Sequence, residues 1–168
     1  MEGYHIKSLH KKSFFPYGHD NTTVVENFGS HSRVIFPFKR IEKLRDVDPK
    51  DQHLNGMVTS VYQLFPNVAV SVLSKHSTVT IFEPLSPTRT LMLIYRATNK
   101  TSDGMTTNIE EAKRDASFVK DAGFDEDREA ACAIQGTLDT RANQHLTFGH
   151  FEKAIVHFHE NLEKHLSN

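Results

Sequence analysis

Cysteine is almost absent from this sequence of 168 residues. Cys132 is the only one, so the chain cannot form an internal disulfide, a zinc site built on cysteines or a cysteine-bound iron–sulfur cluster. Glycine (8) and proline (6) are scarce, tryptophan is missing, and hydrophobic residues make up 38%. This composition is typical of a globular chain, and the length fits one domain, residues 1–168, that can bury a core without disulfides.

Long apolar runs and an excess of one charge are missing as well. No hydrophobic stretch is long enough to span a membrane and the amino terminus shows no signal peptide, so we expect a cytoplasmic protein without a membrane partner. The chain has 20 basic and 21 acidic residues, and the basic cluster at 39–45 is interleaved with acidic residues. This arrangement is typical of a solvated helical face, so nucleic acid is not an expected partner.

Strand-forming patterns fill the first two thirds of the sequence. Segments rich in β-branched and aromatic residues, with partial alternation of apolar and polar positions, predict strands at 22–28, 33–38, 57–65, 68–73, 78–83 and 88–98. Short turn-like segments separate most of them, which predicts an antiparallel meander. His76 falls in one such turn, and we expect it to be solvent-exposed and without a role.

Helical patterns lie mainly in the last third. They predict a short helix at 39–47 and longer helices at 108–120, 124–138 and 150–166. The last helix is amphipathic, so the sheet and this helix must bury one face of each against the other. We therefore predict an α+β fold in which a curved antiparallel sheet packs on a long carboxy-terminal helix, with room for an apolar cavity between them.

One acidic residue interrupts the apolar face of the helix predicted at 124–138. Asp127 lies in line, at the helical period, with Ala130, Ala131, Ile134 and Leu138. That stripe should face a core, where an unpaired carboxylate needs a cation, a hydrogen-bond network or a metal. The alternative is a first-turn role, in which Asp127 interacts with the helix dipole and with free backbone amides.

Two histidines near the amino terminus are possible partners for this carboxylate. His5 and His10 are separated by four residues, and two imidazoles with one carboxylate can hold a ferrous ion by one face. With 11 histidines in the chain, about one pair at this spacing is expected by chance, and His145 with His150 is a second. Side chains five residues apart on a helix point about 140° from each other, so a shared metal requires the helix to end or bulge between them.

Four segments together resemble a known family. Glu2-x-Tyr4-His5-x-x-x-x-His10 resembles the mononuclear-iron motif in the catalytic domain of Rieske-type aromatic-ring-hydroxylating oxygenase large (alpha) subunits. Residues 126–136 are similar to the segment that carries that family's third ligand, and residues 64–67 and 148–162 are similar to a strand-edge motif and the terminal helix. The resemblance implies a helix-grip fold of the START/Bet v1 type.

The resemblance also implies roles for individual residues. His5 and His10 would be neutral imidazole ligands of a mononuclear Fe(II), and Asp127 would be its carboxylate ligand. Asp125 is the second choice for the carboxylate, because the register of its segment could slip. Glu2 corresponds to the catalytic acidic residue that lies between the metal centres of adjacent subunits and relays electrons or protons.

The implied activity is the activation of dioxygen beside an apolar, often aromatic, substrate. Family members are commonly homotrimers in which a Rieske centre reduces the iron, but a chain with one cysteine cannot hold that cluster. We therefore expect a catalytic domain without its Rieske domain, truncated at its amino terminus, that needs a Rieske protein or ferredoxin in trans and does not turn over alone. The alternative is a non-catalytic helix-grip module that binds an apolar ligand or a partner subunit without metal.

Overall fold

A single antiparallel sheet forms the centre of the molecule. A computed structural model describes residues 3–19, 22–101, 103–142 and 145–167. Within these residues, six strands lie in the order β1-β2-β3-β4-β5-β6, each antiparallel to its neighbours. The strands are β1 (Val24–Phe28), β2 (His31–Pro37), β3 (Val58–Leu64), β4 (Val68–Val72), β5 (His76–Ser86) and β6 (Arg89–Thr98). This is the meander that the short connections predict.

Strand β5 is longer than the predicted segment at both ends. Its first residue, His76, pairs with Thr98 of β6, and its far end continues past Pro84. The last β4–β5 pair is Val68 with Ile81, and the Phe82 amide still donates to the Asn67 carbonyl. Beyond Phe82, β5 pairs only with β6. A proline is tolerated there, because one side of an edge strand needs no backbone donor.

The helices flank the sheet in sequence. They are α1 (Gly3–Ser8), α2 (Ile109–Val119), α3 (Asp125–Leu138) and α4 (Lys153–Leu166), and a π-helical turn (Lys120–Phe124) joins α2 to α3. Asn108 caps α2, since its side-chain oxygen accepts hydrogen bonds from the amides of Glu110 and Glu111. The helix predicted at 39–47 is a 3-10 helix, Lys39–Leu44. No helix in the described ranges has the length and apolarity needed to cross a membrane.

The carboxy-terminal helix packs on the sheet, as predicted. Helix α4 lies against β1 and β2 and buries Ala154 and Asn161. The centroids of the Phe158 and Phe65 rings are 5.6 Å apart. Near the end of the helix the His165 ring lies 5.1 Å from the Phe65 ring, centroid to centroid, whereas Leu166 is 77% exposed. The α+β prediction, with an antiparallel sheet and a packed terminal helix, is confirmed.

The prediction that the apolar stripe of α3 faces a core is wrong. Ile134 is 58% exposed and Leu138 is 52% exposed. Helix α3 makes its main contacts with the π-helical turn that precedes it, and the carboxy-terminal part of the stripe is left exposed. Of the stripe, Asp127 and Ala131 line an internal cavity instead.

Candidate metal centre and ligand cavity

The chain turns sharply at His10. Helix α1 ends at Ser8, and the carbonyl oxygen of His10 accepts the backbone N–H groups of Ser13, Phe14 and Phe15 at 3.2, 3.1 and 3.0 Å. The helix therefore ends between His5 and His10, which is the condition that a shared metal requires. The His10 side chain is completely buried, and the edge of the Phe14 ring packs against it with centroids 5.0 Å apart.

The imidazole of His10 lies between two carboxylates of α3. Its Nδ1 is 2.5 Å from Oε2 of Glu126, and its Nε2 is 3.1 Å from Oδ1 of Asp127. Ser13 also donates its hydroxyl hydrogen to Glu126 Oε2, at 3.0 Å. Two consecutive residues in the first turn of α3 thus hold both nitrogens of a histidine more than 110 residues away in sequence.

These contacts change the acidity of the histidine. Burial is the largest influence and lowers the pKa of His10, but the hydrogen bonds with Asp127 and Glu126, and the negative charges of both, act in the opposite direction. The result is a pKa above the ordinary value for histidine. The site therefore favours a positive charge on or beside the imidazole.

The geometry fits a metal ion as well as a proton. Because Nδ1–H donates to Glu126, the Nε2 lone pair of a neutral His10 faces the Asp127 oxygen, and two lone pairs 3.1 Å apart repel each other unless a cation lies between them. Adjacent ligands of an octahedral ion, each about 2.1 Å from the metal, are about 3 Å apart. A carboxylate that accepts the second N–H of a ligating histidine is also a common feature of metal sites.

The other predicted site residues stand as follows. Glu2 and the side chain of His5 lie outside the described residues, so the assignment of His5, His10 and Asp127 as ligands stays a prediction. In the described part of the chain, no group of three His, Cys, Asp or Glu side chains is arranged to hold a metal. Asp125 is exposed and lies 4.0 Å from the Lys120 amine, whereas Asp127 contacts His10.

Glu126 was missed by the sequence reasoning. It lies within residues 126–136, which resemble the family, but its azimuth on α3 differs from that of the apolar stripe, so periodicity gives it no role. The available signal was its position directly before Asp127, the candidate ligand. A ligating histidine donates its second ring N–H to an acceptor such as a carboxylate, and Glu126 is a carboxylate close to the proposed site.

A second buried histidine corrects the prediction for His76. Its side chain is 3% exposed, and its Nδ1 donates to Oδ2 of Asp115 on α2 at 2.8 Å. The same oxygen accepts the Lys75 amide at 3.0 Å. His76 is therefore not a solvent-exposed turn residue, because β5 begins at this position and α2 covers it.

The pair also shifts the carboxyl group of Asp115. Burial is the largest influence and raises the pKa of Asp115, but the hydrogen bonds from His76 and from the Lys75 amide lower it, and the sum lies below the ordinary value. Asp115 is therefore held in its charged form.

A cavity of about 1560 Å³ lies between the sheet and the α2–α3 segment. Its wall includes Asp127 and Asp115, and the sheet contributes alternate residues of β3 to β6. The apolar lining includes Phe14, Phe36, Val61, Phe82, Met92 and Ile94, and the hydroxyl-bearing lining includes Thr59, Ser71, Thr78, Thr80 and Thr90. A ligand in this cavity can therefore reach the Asp127 carboxylate, which contacts His10 from the cavity wall.

Comparison with known proteins places the chain in one family. No curated protein and no solved structure matches the sequence. The family described as ring hydroxylating alpha subunit (catalytic domain) matches residues 1–168, the whole chain. The chain therefore belongs to the family of catalytic domains of ring-hydroxylating alpha subunits.

Proposed function

We propose that the chain activates dioxygen at a ferrous ion held by His5, His10 and Asp127, beside an apolar aromatic substrate in the cavity. Membership of the family gives the general activity, that of a ring-hydroxylating oxygenase catalytic domain of the non-haem iron class. The observation that carries the finer proposal is the 3.1 Å contact between His10 Nε2 and Asp127 Oδ1 at the cavity wall. When bound there, ferrous iron supplies one-electron chemistry with dioxygen.

The protein's own residues orient and shield the site. Glu126 holds the Nδ1–H of His10, which fixes the ring and keeps its Nε2 directed towards Asp127. The Ser13 hydroxyl donates to Glu126 and holds that carboxylate in place. The Phe14 ring packs against His10 and belongs to the cavity lining, so it excludes water from one side of the pair.

Electrons must reach the site from a centre outside these 168 residues. The family implies a Rieske electron donor and dioxygen as partners. The single cysteine of these 168 residues cannot hold a Rieske cluster, so a Rieske centre outside them, such as that of a Rieske protein or a ferredoxin, would deliver the electrons. Glu2 would relay electrons or protons at a contact within a homotrimer. We expect no turnover by the purified chain with a chemical reductant alone.

Anaerobic reconstitution tests the iron site. We expect about one iron per chain after excess metal is removed, and a loss of most of it in His5→Ala, His10→Ala and Asp127→Ala. Asp125→Ala is the matched control, because this exposed carboxylate in the same helical turn contacts Lys120 rather than His10. The proposal fails if the wild type binds no more iron than His10→Ala.

The reconstituted protein also distinguishes the proposed iron site from the alternative function, a helix-grip module that binds its ligand without metal. A metal-free helix-grip module would bind no iron, yet an apolar ligand would raise its melting temperature even under strong chelation. An iron-dependent site instead predicts that chelation lowers the melting temperature of the reconstituted protein and leaves His10→Ala unaffected.

A further inference from the structure

Three polar side chains lie in one row across the sheet wall of the cavity. Arg96 of β6 pairs across strands with Thr78 of β5, and Thr78 pairs with Ser71 of β4. All three line the cavity. Since directly paired residues on one sheet face have Cβ atoms about 5 Å apart, the guanidinium and the two hydroxyl groups can bind a single ligand group.

The positive charge of Arg96 is not compensated by the protein. Among the described residues, no hydrogen bond or ion pair reaches its side chain. The acidic groups on the described cavity wall are Asp115 and Asp127, and each already contacts a histidine. Other basic residues of the cavity wall do have hydrogen-bond partners: Lys39 donates to the Pro16 carbonyl, and Arg40 donates to the Gly56 carbonyl and the Ser74 hydroxyl.

We propose that the cavity takes an aromatic or otherwise apolar carboxylate, and that Arg96, with Thr78 and Ser71, binds its carboxylate group. The inference rests on the proposed function and names its substrate class. A guanidinium presents two parallel N–H donors that match the two oxygens of a carboxylate, and hydroxyl groups beside it can donate to the same oxygens.

The surroundings of Arg96 fit the rest of such a ligand. Ile94 and Met92 follow on the same face of β6, and Phe82, the cross-strand partner of Met92, continues the apolar surface. The Arg96 side chain is exposed, and a neutral hydrocarbon that covered it would remove water from its charge without supplying a partner, which is unfavourable. The cavity should therefore bind an acid more tightly than a neutral molecule of the same shape.

Binding to the metal-free full chain tests the proposal. The probes are 1-naphthoate and its neutral isostere 1-naphthamide, titrated calorimetrically in the presence of a chelator. We expect the wild type to bind naphthoate about tenfold more tightly than naphthamide, and Arg96→Gln to lose about tenfold in naphthoate affinity with little change for naphthamide. Arg96→Lys should retain part of the preference.

Arg89→Gln is the matched control, because Arg89 lines the cavity from the other end of β6. It should keep the preference, and circular dichroism should show that both variants fold. The proposal is overturned if Arg96→Gln binds naphthoate as well as the wild type, if the wild type binds neither probe or prefers the amide, or if Arg89→Gln loses as much as Arg96→Gln.

The outcome is independent of the iron assignment. Naphthoate binding is measured without metal, and iron content is measured on the same variants without ligand. A chain that prefers naphthoate but takes up no iron would refute the proposed function alone. A chain that binds iron in both arginine variants but shows no preference would refute the carboxylate subsite alone.

Discussion

Among the described residues, His10 and His76 are buried and held by helix carboxylates, and they differ in the number of carboxylates beside the ring. His10 is completely buried and has a carboxylate at each nitrogen, Glu126 and Asp127. His76 is almost as buried, but among the described residues only its Nδ1 lies within ion-pair distance of a carboxylate, that of Asp115. Burial and one carboxylate therefore do not identify a ligand, whereas a second anion at the free nitrogen indicates a place for a cation.

The two pairs also connect different parts of the fold. The His76–Asp115 pair joins β5 to α2, so it fixes the helix on the sheet. The contacts of His10 join the segment after α1 to the first turn of α3 at the cavity wall. We therefore propose that the first pair serves stability and the second serves chemistry, and three matched pairs of substitutions test this division.

The largest expected effect is on iron content. His10→Asn should lose most of the iron after reconstitution, because asparagine cannot replace the imidazole nitrogen as a ligand, while His76→Asn should keep about one iron per chain. The measurement is metal analysis of both variants, with thermal unfolding as a check that each is folded. Equal loss of iron in folded His76→Asn would remove the distinction between the two histidines.

A smaller effect on iron binding is expected from Glu126→Gln. The amide still reaches His10, but it no longer carries the negative charge that makes the imidazole a better ligand, so iron affinity should fall about 10- to 100-fold while the stoichiometry stays near one at saturating metal. Competition with a chelator of known affinity measures the change. The exposed neighbour Glu129 provides a control, Glu129→Gln, that should bind iron like the wild type.

The smallest effect is the loss of stability when the His76–Asp115 pair is broken. Asp115→Asn leaves the buried His76 ring without its charged acceptor, so we expect the free energy of unfolding at pH 7 to fall by about 1–2 kcal/mol. Urea unfolding of the metal-free chain measures this. Glu111→Gln is the control, because its exposed ion pair with Lys75 should contribute less than about 0.5 kcal/mol.

The same substitution has a defined pH dependence. The folded-state pKa of Asp115 is lowered below the ordinary value of 3.8, so its contribution is present above pH 3.8 and is lost as the pH falls through the folded-state pKa. The difference in stability between the wild type and Asp115→Asn should therefore be largest above pH 5 and should shrink below pH 4. A difference that grows on acidification would contradict the charged state assigned to Asp115.

The sequence predicted the sheet well because strand alternation is a local signal. The predicted segment at 68–73 differs from β4 by one residue, and that at 57–65 extends β3 by one residue at each end. The beginning of β5 was missed because Ser74, Lys75 and His76 have the composition of a turn. The partner that buries His76 lies 39 residues further along the chain, which no local pattern records.

The helical period identified which residues share a face of α3 but not what lies opposite them. It placed Asp127 beside Ile134 and Leu138, and the inference that all three are buried was wrong, since the two apolar residues are exposed. The link between Asp127 and the amino-terminal motif came from family resemblance. Periodicity could not supply it, because the contact with His10 depends on tertiary packing across 117 residues.

The π-helical turn between α2 and α3 has a consequence for the direction of the two carboxylates. Asp115 and Asp127 are 12 positions apart, so an uninterrupted α-helix would separate their azimuths by about 120°. The turn at Lys120–Phe124 accommodates more residues per revolution, which removes much of that angular offset. A local change of helical pitch thus aligns an anchoring acid and a candidate ligand towards the same interior space.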